Sequence, residues 1–295
     1  KLPLGGFGIS RFLLDLQLAQ LAEATGVQVV TETKVDAIRF SETFLLDIAS
    51  RRTDCKQIRA RVCCAAYGKR SNLDIKWKRP FLEAVDKKLD NFIGIKYHLE
   101  GDWDPALIGL HNFEDGYCGL SRIEEGRYCL CYMTTAASLK RCGNDIRRLE
   151  AEVLAVNPHL RKILATSRIL DGFPVTISQI NFNSKETVKD HVLMLGDAAG
   201  MITPLCGNGM SIAFHTGKLA FEGIHRYLHG SCSREVMETE YAASWNHHFA
   251  ARLRTGRRLQ RFFGRKALSN AFVGLFRTFP FLAGPVIRMT HGKPF

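Results

Sequence analysis

The order of apolar and polar positions divides the chain into blocks of two periods. In residues 10–25, SRFLLDLQLAQLAEAT, apolar side chains recur at helical spacing: Phe12, Leu13, Leu16 and Ala19, with Leu14, Leu18 and Leu21 beside them. Ser10 is a natural N-cap and Gly26 a natural stop, so a helix is predicted between them. VQVVTETKVDAI, at 27–38, alternates and is rich in β-branched residues, which predicts a strand. Two further strands are predicted around 43–48 and 58–65, followed by a loop, YGKRSNLD, at 67–74.

Residues 92–135 carry four short β-rich runs, FIGIKYHLE, ALIGLHNF, GYCGLSRI and RYCLCYMTT, with turn residues between them. They predict a sheet. A helix is predicted over 143–156, ending before Pro158, and 166–182 reads as irregular. Residues 192–195 read as a buried strand, 207–229 as a long helix, and 235–275 as mostly helical. No internal repeat or low-complexity segment interrupts this order.

Composition changes the picture in three places. The chain has 295 residues, 46% of them hydrophobic, enough for one large domain or two. It begins with Lys1, has no leader pattern, and has no uncharged apolar run near the ~20 residues of a membrane-spanning helix. The nine cysteines form neither a CxxC pair nor a Cys/His ladder, so no zinc site is read; reduced thiols in a cytoplasmic setting are expected. The net charge of +12 is uneven: residues 241–295 contain no Asp or Glu, and 252–293 contain ten Lys or Arg. The excess lies in a tail that also mixes Leu and Phe, so a nucleic-acid-binding core is not expected. Two readings of the tail stand open: a helix lying on an anionic membrane surface, or a helical cap with its Arg face solvated.

The candidate chemistry lies in residues 192–214, VLMLGDAAGMITPLCGNGMSIAF. A strand ending in Gly196-Asp197 sets a carboxylate at a strand's C-terminal edge, where α/β sheets keep their ligands. That carboxylate can accept hydrogen bonds from sugar or ribityl hydroxyls. Ala198, Ala199 and Gly200 let a ligand approach the backbone, and Pro204 stiffens the turn. Gly207-Asn208-Gly209 then opens a helix whose first amides lack an intrahelical partner and favour a phosphate or an electron-rich ring edge. A tight α/β connection would also use such a loop.

GDAAGxxxPxxGxGMxxA resembles the second FAD-binding motif of the para-hydroxybenzoate-hydroxylase-type flavoproteins, which include aromatic monooxygenases, flavin halogenases and geranylgeranyl reductases. The resemblance implies that Asp197 takes the ribityl of FAD, that Gly196 and Pro204 shape the turn, Pro204 near the flavin's reactive edge, and that Gly207, Asn208, Gly209 and Met210 line the ring. Two more segments match in order. GISRFLLDLQLAQLAEATGVQVVTETKV resembles the family's arginine-bearing helix and adenine-reaching strand, which implies cofactor contacts from Arg11 and the backbone of Val35. CCAAYGKRSNLD resembles the family's xxADGxxSxxR strand end, with Gly68 and Ser71 in register. Tyr67 replaces the usual acid there, and Leu73 or Asp74 stands where an arginine is expected, which speaks against a polar role for this loop.

The resemblance implies an α/β (α+β) protein: a Rossmann-like FAD-binding domain over 1–75 and 183–232, an inserted, mostly antiparallel substrate-binding sheet over 76–182, and a helical basic region over 233–295. The family's opening βαβ unit with GxGxxG is not found, and the ten residues before the first helix leave no room for one. A longer parent protein is therefore expected. The implied activity is an FAD-dependent, NAD(P)H-using monooxygenase acting on an apolar or aromatic small molecule. A reductase of a lipid-like alkene and a non-catalytic flavin-fold module are the alternatives. No WxWxIP halogenase motif occurs, nor the reductases' aromatic-Trp-Phe-Pro signature. Catalytic side chains stay unassigned: His98 and His111 lie in strand-like runs, Glu124 and Glu125 in a turn, and Phe113, Tyr117, Tyr128 and Tyr132 read first as sheet packing.

Overall fold

A computed structural model describes residues 7–83, 91–204, 207–262 and 266–279, with single positions 281, 284 and 295. The element order is α1 (Arg11–Ala24), β1 (Thr33–Phe40), β2 (Phe44–Ser50), β3 (Gln57–Ala60), β4 (Cys64–Ala65), α2 (Asn72–Lys76) and β5 (Phe92–Glu100). It continues with β6 (Gly109–Phe113), β7 (Gly116–Arg122), β8 (Tyr128–Thr135), α3 (Ala136–Arg141), α4 (Ile146–Glu152), α5 (Pro158–Thr166), β9 (Arg168–Ile169) and β10 (Val175–Ile180). It closes with β11 (Val188–Lys189), β12 (Val192–Met194), α6 (Gly209–Leu228), α7 (Arg234–Trp245), α8 (Ala251–Phe262) and α9 (Lys266–Thr278). The chain folds as two units, one of Lys1–Val29, Asn91–Ile180 and Phe262–Gly274, the other of Val30–Asp90, Asn181–Arg261 and Leu275–Phe295.

The first unit is built on an antiparallel sheet in the order β10-β5-β8-β7-β6, with β9 also paired to β5. Alternation decides which face is buried. Ile93, Ile95, Tyr97 and Leu99 of β5 join Cys118 and Leu120 of β7 and Tyr128, Leu130 and Tyr132 of β8 in one core, covered by Leu149, Leu160 and Ile163 from α4 and α5. In α1 the Ser10 hydroxyl accepts the Leu13 amide at 3.2 Å, the cap that the sequence predicts. None of its residues is buried; Phe12 is 78% exposed and Leu21 63%.

The second unit has two three-stranded sheets, β1-β2-β3 and β11-β12-β4. In the latter, β12 pairs parallel with β4. Val192, Leu193 and Met194 pack with Ile212 and Ala220 of α6, Met237, Tyr241 and Trp245 of α7, and Leu253 of α8. α8 turns Leu253, Gly256 and Gln260 inward and leaves Arg254 and Arg258 exposed. Among the described residues, no helix is long and apolar enough to cross a membrane.

Four local expectations are corrected. Residues 27–32 stay outside the ladder, and the strand starts at Thr33, because Glu32 turns the chain at a φ of 51°. The run at 58–65 splits into β3 and β4, which pair in different sheets. The helix expected over 143–156 does end before Pro158, but as the shorter α4 followed by a 3-10 turn at Leu154–Val156. A helix without a sequence expectation, α5, then starts at Pro158, since Asn157 caps it and proline at a first helical position costs no hydrogen bond. The segment read as irregular, 166–182, contains β9 and β10. The alternation of β10 is broken by a register shift between Ile177 and Ile180, and its order comes from pairing with β5.

Candidate functional site

The Gly-Asp turn starts where β12 ends. Residues 196–198 form one 3-10 turn, with the Ala198 and Ala199 amides bonded to the carbonyls of Leu195 and Gly196. Gly196 takes a φ of 54°, and a Cβ there would stand 3.2 Å from the Ala213 methyl. Its amide donates to the Thr216 hydroxyl at 2.9 Å, which in turn donates to the Ala213 carbonyl at 2.9 Å. Glycine is required because the strand end and α6 meet at backbone distance. Asp197 itself is half-buried.

From this turn the chain runs through the buried Met201, Ile202 and Thr203 to the exposed Pro204. The Gly207 amide donates to the Pro204 carbonyl at 2.9 Å, and Gly207 has a φ of 68°. Asn208 is the N-cap of α6, and no side-chain cap closes the helix start, so its first amides keep no partner within the helix. Among the described residues, a Cβ added at Gly207 or Gly209 would meet nothing within 4 Å. Met210, next on the helix, is 39% exposed. The N-terminus of this 20-residue helix, clear of the other described residues and on the loop that carries a half-buried carboxylate, could hold the ribityl and ring end of FAD. Behind the turn the packing is opposite in character. A Cβ at Gly200 would lie 2.8 Å from Leu253 and 3.0 Å from the Trp245 ring.

Arg11 starts α1 in the first unit, and its guanidinium is held by Asp15 at 2.9 Å with both side chains exposed. Val35 lies in β1, where its carbonyl accepts the Asn72 side-chain amide at 3.3 Å. Gly68 occupies the half-buried loop between β4 and α2.

That loop carries a polar network that the motif comparison missed. Arg79 and Asp74 are fully buried and paired at 2.9 Å. Asp74 also accepts the Tyr67 hydroxyl and, at 2.7 Å, the Ser71 amide, which makes the capping box of α2. Arg79 donates further to the Ala198 carbonyl at 3.0 Å, to the Glu186 carbonyl at 2.7 Å, and to the Glu186 carboxylate at 3.4 Å. Burial and the neighbouring Asp74 push the Tyr67 phenol far above its usual range, so it donates at every physiological pH. Lys185, 9% exposed, donates to the carbonyls of Lys69 and Asp197, both at 2.7 Å. Burial pulls its pKa down to about 8. Sequence reasoning had one signal for part of this network: Ser71 and Asp74 stand at the spacing of a capping box, just after the apolar run that Tyr67 ends.

In the first unit, the aromatic side chains pack rather than line a hollow. Tyr97 and Tyr132 both donate to Glu150 at 2.7 Å, Tyr128 donates to the Trp103 carbonyl, and Phe113 meets Tyr132 edge to face. His98 stacks on Phe173 at 4.5 Å, and burial lowers its pKa. His111 is lowered likewise, facing His159 at 5.8 Å. Glu124 accepts the Ser10 amide at 2.7 Å.

No family model matches the chain. It is 22% identical over 261 residues to digeranylgeranylglycerophospholipid reductase 3 of Methanosphaera stadtmanae, covering 85% of this chain and 62% of that protein. It is 23% identical over 218 residues to conditioned medium factor receptor 1 of Dictyostelium discoideum, covering 72% of this chain and 42% of that protein. The chain thus spans about half the length of these curated relatives. Among solved structures it superposes on the flavin-dependent brominase Bmp2 with a TM-score of 0.72 at 17% identity, over 96% of this chain and 70% of that one. On Klebsiella pneumoniae HpxO, solved with FAD and uric acid, the TM-score is 0.70 at 17% identity, over 95% and 71%. The fold is that of the FAD-binding flavoproteins, and the neighbours are flavin-dependent halogenases, monooxygenases and reductases, the superfamily that the motifs resemble.

Proposed function

We propose that this chain carries the flavin-ring part of an FAD-dependent oxidoreductase, an NAD(P)H-dependent monooxygenase acting on an apolar or aromatic organic substrate. One observation carries the reading: the loop that presents Asp197 also delivers the N-terminus of α6, with no other described residue within reach of a Cβ at Gly207 or Gly209. Asp197 accepts from the ribityl hydroxyls, and the first amides of α6 bind the electron-rich end of the ring. Bound FAD would supply the redox chemistry, acceptance of a hydride from NAD(P)H and transfer of electrons to dioxygen. The protein's part is to position the ring and to exclude water. Residues 1–75 and 183–232 form the cofactor domain in this reading, 76–182 the substrate sheet, and 233–295 a helical region.

A second reading, reduction of a lipid-like alkene, is favoured by the reductase that aligns over 85% of the chain. A third, a flavin-fold module without turnover, is favoured by the relative named as a receptor.

The test is flavin uptake by the full-length wild-type protein and by its Asp197→Ala variant, read as the visible absorbance retained after gel filtration. Loss of about tenfold or more in affinity is expected, since a buried ribityl then lacks its acceptor. Equal flavin occupancy in both proteins overturns the assignment. Product formation that requires dioxygen selects the monooxygenase, and anaerobic turnover selects the reductase.

A further inference from the structure

Beneath the Gly-Asp turn lie two buried cations that neither the motif nor the proposed chemistry uses. Arg79 has no exposed surface and donates to the carbonyl of Ala198 at 3.0 Å. Lys185 donates to the carbonyl of Asp197 at 2.7 Å. Two successive carbonyls of one turn are thus each held by a positive group. The other ends of these groups are anchored in the same unit. Arg79 is fixed by Asp74, Tyr67 and Glu186. Lys185 is fixed by the Lys69 carbonyl, and its ammonium sits 4.6 Å over the Phe81 ring, which also lies 5.3 Å from the Arg79 guanidinium.

Physical chemistry makes this placement informative. A neutral donor could satisfy a carbonyl without the desolvation cost of burying a charge. What a cation adds is strength, and it polarises the peptide it holds. The two gripped carbonyls belong to the peptides whose amides close the 3-10 turn, Ala198 onto Leu195 at 3.2 Å and Ala199 onto Gly196 at 3.0 Å. A cation on each carbonyl strengthens the hydrogen bond on the far side of that peptide. The segment bearing Lys185 is held in turn by α8, where Arg257 donates to the Phe182 carbonyl at 3.3 Å. α8 also accepts the Thr203 hydroxyl at the Gly256 carbonyl, at 3.4 Å.

We infer that Arg79 and Lys185 are positioning residues of the flavin site, locking the Asp197–Ala199 turn from the protein side so that Asp197 meets the ribityl in one fixed place. This rests on the cofactor reading above. Both residues act through the carbonyls of the turn.

The test compares wild type with Lys185→Met, Lys185→Arg and Asp197→Ala, alone and combined. Amide exchange at residues 197–200 is read without flavin, with β5 and β8 as internal reference. FAD affinity is read by flavin fluorescence. Lys185→Met should speed exchange in the turn about tenfold or more, the equivalent of one charged hydrogen bond, and leave the reference strands unchanged. It should weaken FAD by a similar factor, with little further loss once Asp197 is Ala. Lys185→Arg should restore both readouts. If Lys185→Met does not fold, Lys185→Gln, which keeps a donor but no charge, is judged by the same criteria. Unchanged exchange in the turn overturns the inference, as does a loss of FAD affinity that adds in full to that of Asp197→Ala. A full-length wild-type protein that takes up no flavin sinks the cofactor reading, while the exchange comparison still decides whether the cations hold the turn.

Discussion

Arg79 and Asp74 meet at 2.9 Å with neither side chain exposed at all. Such a pair survives only if every remaining polar group around it is satisfied. Tyr67, Ser71, Glu186 and Ala198 supply those partners. Removing one member leaves an uncompensated buried charge, so Arg79→Met or Asp74→Leu alone should cost about 3–5 kcal/mol. The double replacement should cost less than the worse single one. Urea unfolding of the four proteins checks this. A simple sum of the two single losses would show that the pair does not act as a unit.

Lys185 ties stability to pH. Its folded pKa, about 8, lies below the ordinary 10.5, because burial disfavours the ammonium. Below pH 8 the folded state carries a charge that it holds poorly. Between 8 and 10.5 the unfolded chain binds the proton more readily than the folded one, so stability rises across that window. The gain is about 3 kcal/mol at most, at ~1.4 kcal/mol per pH unit. Wild type should gain on Lys185→Met as pH rises from 8 to 10.5, and parallel unfolding curves across that range would rule the account out.

The glycines of the motif separate into two kinds. Gly200 is closed in by Leu253 and Trp245, so Gly200→Ala should overpack the core and cost about 1–3 kcal/mol with no ligand present. Gly209 has no other described residue within reach of a Cβ, so Gly209→Val should leave stability within about 0.5 kcal/mol while blocking flavin uptake. Thermal melts and flavin titrations of both variants test this, and a Gly209→Val protein with normal affinity would put the ring somewhere else.

Thiol labelling reads the cysteine environments. Cys55 is exposed, whereas burial pushes the thiol of Cys63 up to about 11 and that of Cys118 well above its ordinary value. Of these three, Cys55 should react first at pH 8 with a thiol reagent, since the thiolate is the nucleophile. Mass mapping after brief labelling checks the order, and prior labelling of Cys118 would contradict the packing of β7 and β8.

Local chemistry made much of this fold legible. Ser10 announces α1, the alternation of 92–135 announces its sheet, and Gly196-Asp197 marks a strand-to-helix turn with an unusual demand for small residues. What stayed hidden was set by distant partners. β10 takes its order from β5, about eighty residues earlier in the chain. Pro158 reads as a stop and serves as a start, because Asn157 ahead of it is a cap. The Arg79 network hid behind a motif comparison that looked for an arginine near Asp74 at a fixed spacing. The structure brings Arg79 to Asp74 by the bend after α2.

That network also constrains how the sequence can change. Tyr67, Asp74, Arg79 and Lys185 hold one another and the turn in a closed set of contacts. Most single steps away from the set pass through a protein with a stranded charge in its interior. Two such sets, one with an acid at position 67 and one with tyrosine, would therefore be separated by a valley of poorly folded intermediates. A descendant could cross it only by paired substitutions, or after some other change had first added stability to spare.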